Sequence, residues 1–192
     1  NGSEEELEIA LDDAGRISGI DFDVTQHRAL QTEGYPTHYV DIDIQYSAVL
    51  AHKNTTSLDI MIDEYVAFDS VRHSHQYEDV PEFELTAYSP EEIFAEKLRA
   101  LYQRSQARDY YDIYRMLTET NVDRTGIPSA FTRKCEHDGL DIDIRNGLPI
   151  EKRGEIQDGW QNTLPDLVAD LPEFDTVYDT LEEYVDSLTE GD

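Results

Sequence analysis

The hydrophobic period of this chain changes once, at Tyr88, and that change constrains the fold more than any other feature. Between Ile17 and Phe68 apolar and polar residues alternate. Ile20, Phe22 and Val24 are separated by Asp21 and Asp23, and the runs Tyr39 to Ile44 and Leu58 to Asp63 continue the pattern. A period of two marks strands with one buried face. His52 to Ser57 reads as the turn between the last two strands. Leu7, Ile9 and Leu11 alternate with Glu6, Glu8 and Ala10 and read as a further strand, ended by a turn at Asp12-Asp13-Ala14-Gly15. A short helix using Leu7, Ala10 and Leu11 is the alternative.

Beyond Tyr88 the period is helical. In Ser89-Pro90-Glu91-Glu92 the serine can cap, proline suits the first turn, and Glu92 is spaced to close a capping box. Ile93, Phe94, Leu98 and Leu101 then form an apolar stripe. Ser105 reads as the cap of a second helix carrying Arg108 to Leu117, with Tyr110, Ile113, Tyr114 and Leu117 toward the core. Further helices are expected over Ile127 to Lys134 and within 150–170 and 174–188, with a turn at Asn146-Gly147-Leu148-Pro149. The expectation is an α/β chain of the α+β kind, with a sheet domain over 1–86 and a helical domain over 87–192.

Composition enters through charge. The 43 acidic residues against 15 lysines and arginines give a net charge of -28, spread along the whole length. Lysine occurs only at 53, 97, 134 and 152. This pattern is similar to that of salt-in halophiles, where a Debye length of roughly 3 Å at molar salt screens the self-repulsion. The acidity therefore speaks of habitat rather than of a ligand. An apolar fraction of 39% argues for a folded core. Cys135 alone excludes an internal disulfide, and with no long apolar stretch and no basic-apolar leader a cytoplasmic, non-membrane protein is expected.

Against this background Ile93 to Met116 stands out, with five cations (Lys97, Arg99, Arg104, Arg108, Arg115) and three anions (Glu96, Asp109, Asp112). On a helix, or two helices joined by a kink, Lys97, Arg104 and Arg108 fall at i, i+7 and i+11 on one face, and Arg108 can pair with Asp112 at i+4. The spacing predicts an anion site there. A surface ion-pair lattice of Arg104, Arg108, Asp109 and Asp112 is the plainer alternative.

The run Ala95-Glu96-Lys97-Leu98-Arg99-Ala100-Leu101, followed by Arg104, Arg108-Asp109 and Asp112-Ile113, resembles the signature of the AbiEii/AbiGii family of nucleotidyltransferase toxins. Weaker similarity extends from the strands between Tyr39 and Phe68 to the run from Trp160 to Val177. The resemblance implies a polymerase-β-like nucleotidyltransferase mixed sheet followed by a helical region. It also implies transfer of a nucleotide from an NTP to RNA, such as tRNA, or to protein, with Mg2+ or Mn2+, in a toxin-antitoxin or abortive-infection system with an antitoxin partner. Residue by residue, it assigns Lys97 and Arg104 to phosphate or bound RNA, Arg108 to nucleotide phosphate or to orienting those groups, and Asp109 and Asp112 to orientation or catalysis. Asp59 becomes a catalytic, metal-binding carboxylate, with Asp63 as the alternate.

One element of the family pattern is absent. A Gly-Gly, Gly-Ser or Gly-Thr turn followed some ten residues later by D-x-D is expected upstream. Asp21-Phe22-Asp23, Asp41-Ile42-Asp43 and Asp141-Ile142-Asp143 all lack such a turn at that spacing. The alternative function is therefore a non-catalytic module that binds nucleotide, RNA or antitoxin. His73-Ser74-His75 reads as a surface loop rather than a metal site, and Cys135 as a buried inert thiol.

Overall fold

The computed structural model describes residues 2–31, 38–47, 52–61, 63–74 and 82–189. They form two compact units, Asn1–Glu64 and Tyr65–Asp192. The class is α+β, as the sequence indicates.

The first unit begins with a helix, α1 (Gly2–Ser18), where alternation had suggested a strand. Glutamate, leucine and alanine are good helix formers. The i, i+4 pair Leu7 and Leu11 is what packs, while Ile9, which completed the apparent alternation, is 57% exposed. The helix ends not at Gly15 but at Gly19, whose φ of 71° suits a left-handed cap and whose N–H reaches the Gly15 carbonyl at 2.9 Å. Three strands follow, β1 (Asp21–Gln31), β2 (His38–Ser47) and β3 (Lys53–Met61), antiparallel in the order β1-β2-β3. Lys53 pairs with Ser47 and Ser57 with Asp43, so Lys53 to Ser57, expected to turn, are already in β3. Val40, Ile42 and Ile44 of β2 are buried with Leu7, Leu11, Phe22 and Val24, which places α1 on the even-numbered face of β2.

In the second unit a hairpin of β4 (Val71–Ser74) and β5 (Glu84–Ala87) precedes five helices: α2 (Pro90–Arg104), α3 (Ala107–Glu119), α4 (Ile127–His137), α5 (Arg153–Asn162) and α6 (Phe174–Thr189). His73 lies exposed on β4, and His75 is outside the described residues. Phe94, Leu98, Tyr110, Ile113, Ile127, Phe131, Ile156, Val177, Tyr178 and Leu181 make the core. Of the tyrosines expected in it, Tyr110 is fully buried and stacks on Tyr178 at 6.1 Å, while Tyr114 is half-buried. The spacing Phe174, Val177, Tyr178, Leu181, Tyr184, Val185 gives α6 its buried stripe.

Ser89 caps α2 by accepting from the Glu92 N–H at 3.2 Å. Glu92 does not return to close the capping box. Its Oε2 accepts from the N–H groups of Ala67 and Phe68 at 2.8 and 2.9 Å, and its Oε1 lies 2.6 Å from Lys134 Nζ. Lys134 also donates to the Tyr65 carbonyl at 2.8 Å. These bonds draw residues 65–68 into the helical unit, so the division falls after Glu64 rather than after residue 86. The network continues from Lys134 to Glu96 at 3.3 Å, from Glu96 to Arg99, and from Arg99 to Asp138 at 2.7 Å. Burial pushes the Glu96 carboxyl up, but the Arg99 hydrogen bond and the charges of Arg99 and Lys134 outweigh it and hold it low. Burial pushes the Cys135 thiol up to about 11, consistent with an inert thiol.

Lys134 and Glu92 are only 2% and 1% exposed, so removing one partner strands the other charge. Lys134→Met is expected to cost about 3–5 kcal/mol in denaturant unfolding. Glu96 has a folded-state value below the usual 4.5, so its contribution is complete above that pH and is lost as pH falls through the folded value. Glu96→Gln should flatten the acid limb of the stability-pH curve below about 4.5 and leave its neutral slope unchanged.

Candidate functional site

The cationic segment folds as two helices meeting at a sharp joint. Ser105 sits there in the left-handed region (φ 51°), with both its N–H and its hydroxyl donating to the Leu101 carbonyl at 3.0 and 2.9 Å. It therefore ends α2 rather than capping α3, whose cap is Gln106. The joint folds the end of α2 against the start of α3 and brings together side chains that one continuous helix would have kept apart.

Asp109 is the centre of the arrangement. It has no exposed surface, and Arg104 grips it in a fork, Nε to Oδ2 at 2.8 Å and Nη2 to Oδ1 at 2.7 Å. Lys97 Nζ lies 3.8 Å from the same Oδ1 and 2.7 Å from Asp112 Oδ2. The Asp109 hydrogen bond raises Arg104 further above its usual range, ahead of the opposing desolvation, so Arg104 is a permanent cation. The side chains of Lys97, Arg104 and Asp112 are 30%, 36% and 38% exposed. The arrangement is thus a buried anion that fixes two cations, with a second carboxylate at the surface. Within it Asp109 positions Arg104, and the N–H groups of the two cations that the carboxylates leave unused can donate to an anionic group.

Arg108 does not join this cluster. The expected pair with Asp112 is not formed, because Asp112 is taken by Lys97, and Arg108 is exposed with no ion pair to any described residue. Of the ion-pair lattice offered as the alternative, Arg104, Asp109 and Asp112 are paired, with Lys97 in place of Arg108, and a fully buried carboxylate is at its centre.

In the first unit, Asp59 on β3 lies directly opposite Asp41 on β2. Its neighbours Leu58 and Ile60 pair with Ile42 and Val40 on the α1 face, so Asp59 stands on the other face, as the alternation implied. Ile62, counted in that alternation, lies outside the described residues, and Asp63 is exposed beyond the strand. Asp43, Asp21 and Asp23 share the Asp59 face by register, and Asp43 accepts from the Ser57 hydroxyl at 2.6 Å. Two D-x-D runs, spaced twenty residues apart on neighbouring strands, were the available signal for this face. Asp141-Ile142-Asp143 is different, since Asp143 caps a 3-10 turn and binds Arg145.

Oxygen donors of this kind suit a hard divalent cation. Among the described residues, however, no three His, Cys, Asp or Glu side chains form a group able to hold a metal. The carboxylates line a face without converging into a ligand set.

Compared with known protein families, residues 1–180 match the one described as nucleotidyl transferase AbiEii toxin, type IV TA system. The chain belongs to this family. No curated protein matches it. The match spans both units, so the AbiEii assignment covers the carboxylate-faced sheet as well as the Lys97 to Asp112 cluster. It makes this AbiEii-family protein a nucleotidyl transferase toxin by class, with a nucleotide as the substrate class and an antitoxin as the partner class. Among the described residues no helix is long and apolar enough to cross a membrane.

The two aspartates of the cluster separate by their burial. Asp109→Asn leaves Arg104 without its counter-charge and an amide where the fork was, and should cost about 3 kcal/mol in chemical denaturation. Asp112→Asn, at the surface, should cost less than about 1 kcal/mol.

Proposed function

We propose that this protein transfers a nucleotidyl group from an NTP to an RNA acceptor, tRNA being the candidate class, and that Lys97 and Arg104 bind the nucleotide's phosphates. The observation that carries the reading is the buried Asp109, which fixes two half-exposed cations in a chain of net charge -28. Cations held by a buried anion have little freedom left to lose on meeting phosphate, which favours positioning and charge neutralisation, the two main needs of phosphoryl chemistry.

In this reading an acceptor hydroxyl oxygen forms a bond to the α-phosphorus of the NTP. The bond from that phosphorus to the bridging oxygen breaks, and pyrophosphate leaves with the electron pair. Lys97 and Arg104 offset the charge gathering on the phosphoryl oxygens. Asp112 holds Lys97 in place and takes the hydroxyl proton. A divalent metal, Mg2+ or Mn2+, is part of the proposal. In the sheet unit the oxygen donors Asp59, Asp41 and Asp43 share a face but form no ligand set for it.

The same two held cations equally serve a second reading, in which the cluster binds nucleotide, RNA or antitoxin without turnover. One experiment separates the two. The protein is incubated with α-labelled NTPs, RNA and MgCl2 in concentrated KCl, and label in RNA is followed. Transfer that falls by about 100-fold or more in Lys97→Ala and in Asp112→Asn, equivalent to about 2.7 kcal/mol of transition-state stabilisation, supports the enzyme. Equal transfer in both variants overturns the assignment of the cluster, and saturable nucleotide binding with no transfer establishes the second reading.

A further inference from the structure

Arg108 remains unexplained by the cluster. It lines a cleft of about 380 Å3 together with Arg104, Glu155, Thr163, Leu164 and Leu167. The cleft is formed where α5 comes close to the start of α3. A Cβ on Gly159 would lie 3.2 Å from the Ala107 Cβ, so a larger residue there would crowd its floor.

Its polar groups are unspent. Arg108 makes no hydrogen bond or ion pair to a described residue. The fork to Asp109 uses Nε and Nη2 of Arg104 and leaves Nη1 free, and the exposed Thr163 hydroxyl likewise has no partner among the described residues. Most other described arginines of this acidic chain are matched, for example Arg99 by Asp138, Arg115 by Glu119 and Arg153 by Asp175. An arginine left unmatched among so many carboxylates, beside a second guanidinium with a free nitrogen, is placed for an anion from outside. The first turn of α3, whose Gln106 cap supplies no side-chain acceptor, borders the same cleft and adds to a site that the guanidinium groups define.

We infer that this cleft takes one phosphodiester of an RNA strand, with the attached nucleoside against the apolar rim. Charge decides for a single phosphate. One unmatched guanidinium, with the free nitrogen of Arg104 beside it and the exposed rim carboxylate of Glu155 opposed to it, offers too little positive charge for the several negative charges of a triphosphate. The organic part is indicated by Leu167, which is 71% exposed at the rim above the buried Leu164. The inference rests on the RNA-acceptor reading above and gives it a strand-holding contact distinct from the Lys97 side of Arg104.

The test measures binding of a fluorescein-labelled single-stranded RNA oligonucleotide and of a fluorescent ATP analogue to the whole protein, each over a series of KCl concentrations. Arg108 is exposed, so Arg108→Glu should fold with unchanged helical circular dichroism. It is expected to weaken RNA binding by about tenfold or more and to reduce the slope of log affinity against log salt by about 0.7, the value for one phosphate on a single strand. Arg108→Lys should restore most of the affinity, and the ATP analogue should change by less than about twofold. Unchanged RNA affinity and slope in Arg108→Glu overturns the inference, as does a wild-type protein that binds no RNA. Loss of the ATP analogue in step with RNA assigns the cleft to free nucleotide and overturns it too. Label transfer measured in parallel keeps the two readings apart. RNA held through Arg108 without transfer preserves the cleft and removes the enzyme. Transfer with RNA binding indifferent to Arg108 does the reverse.

Discussion

A carboxylate with no exposed surface requires a cation, and at Asp109 that requirement organises the candidate site. Leaving such a charge unpaired in the interior costs several kcal/mol, so the fork from Arg104 is held at the expense of other arrangements. The consequences extend outward. Arg104 ends α2 and Asp109 begins α3, so their pairing fixes the angle of the joint. Lys97, one side of which is drawn to the same carboxylate, is left to bind Asp112 at the surface. A buried anion thereby sets the position of two cations that would otherwise sample many rotamers.

The helical half of this architecture was legible because its signals are local. The Ser89-Pro90 start, the apolar stripes and the Asn146 to Pro149 turn require only near neighbours in sequence. The errors came where a distant partner decided the outcome. Glu92 had the spacing of a capping-box residue, but two unpaired N–H groups at Ala67 and Phe68 and the ammonium of Lys134 claimed its carboxylate. Arg108 and Asp112 had helical pairing distance, but a lysine from the neighbouring helix reached Asp112 first. In α1, two leucines four apart outweighed an alternation of three apolar residues, because packing needed only the pair. Ser105, a serine before a helical run, has the composition of an N-cap and the backbone of a C-cap, a difference that only φ reveals.

The sheet carries the converse lesson. Once β1, β2 and β3 are paired, register alone puts Asp21, Asp23, Asp41, Asp43 and Asp59 on one face, although each D-x-D taken singly says little in so acidic a chain. Asp41 directly across from Asp59 is a like-charge pair, unfavourable by itself. High ionic strength shortens the range of that repulsion.

The joint at Ser105 also bears on how such chains can change length. Adding or removing one residue within the helical stretch from Ala107 to Asp109 would shift the rest of α3 by about 100° about its axis. The fork would open, and the hydrophobic side of α3 would rotate away from Tyr178 in the same step. Insertions in the loops between later helices leave that geometry untouched. The distance in sequence from the arginine to the aspartate is thus a measured length of backbone, and in this fold substitutions at the joint should be tolerated more readily than any change in its residue count.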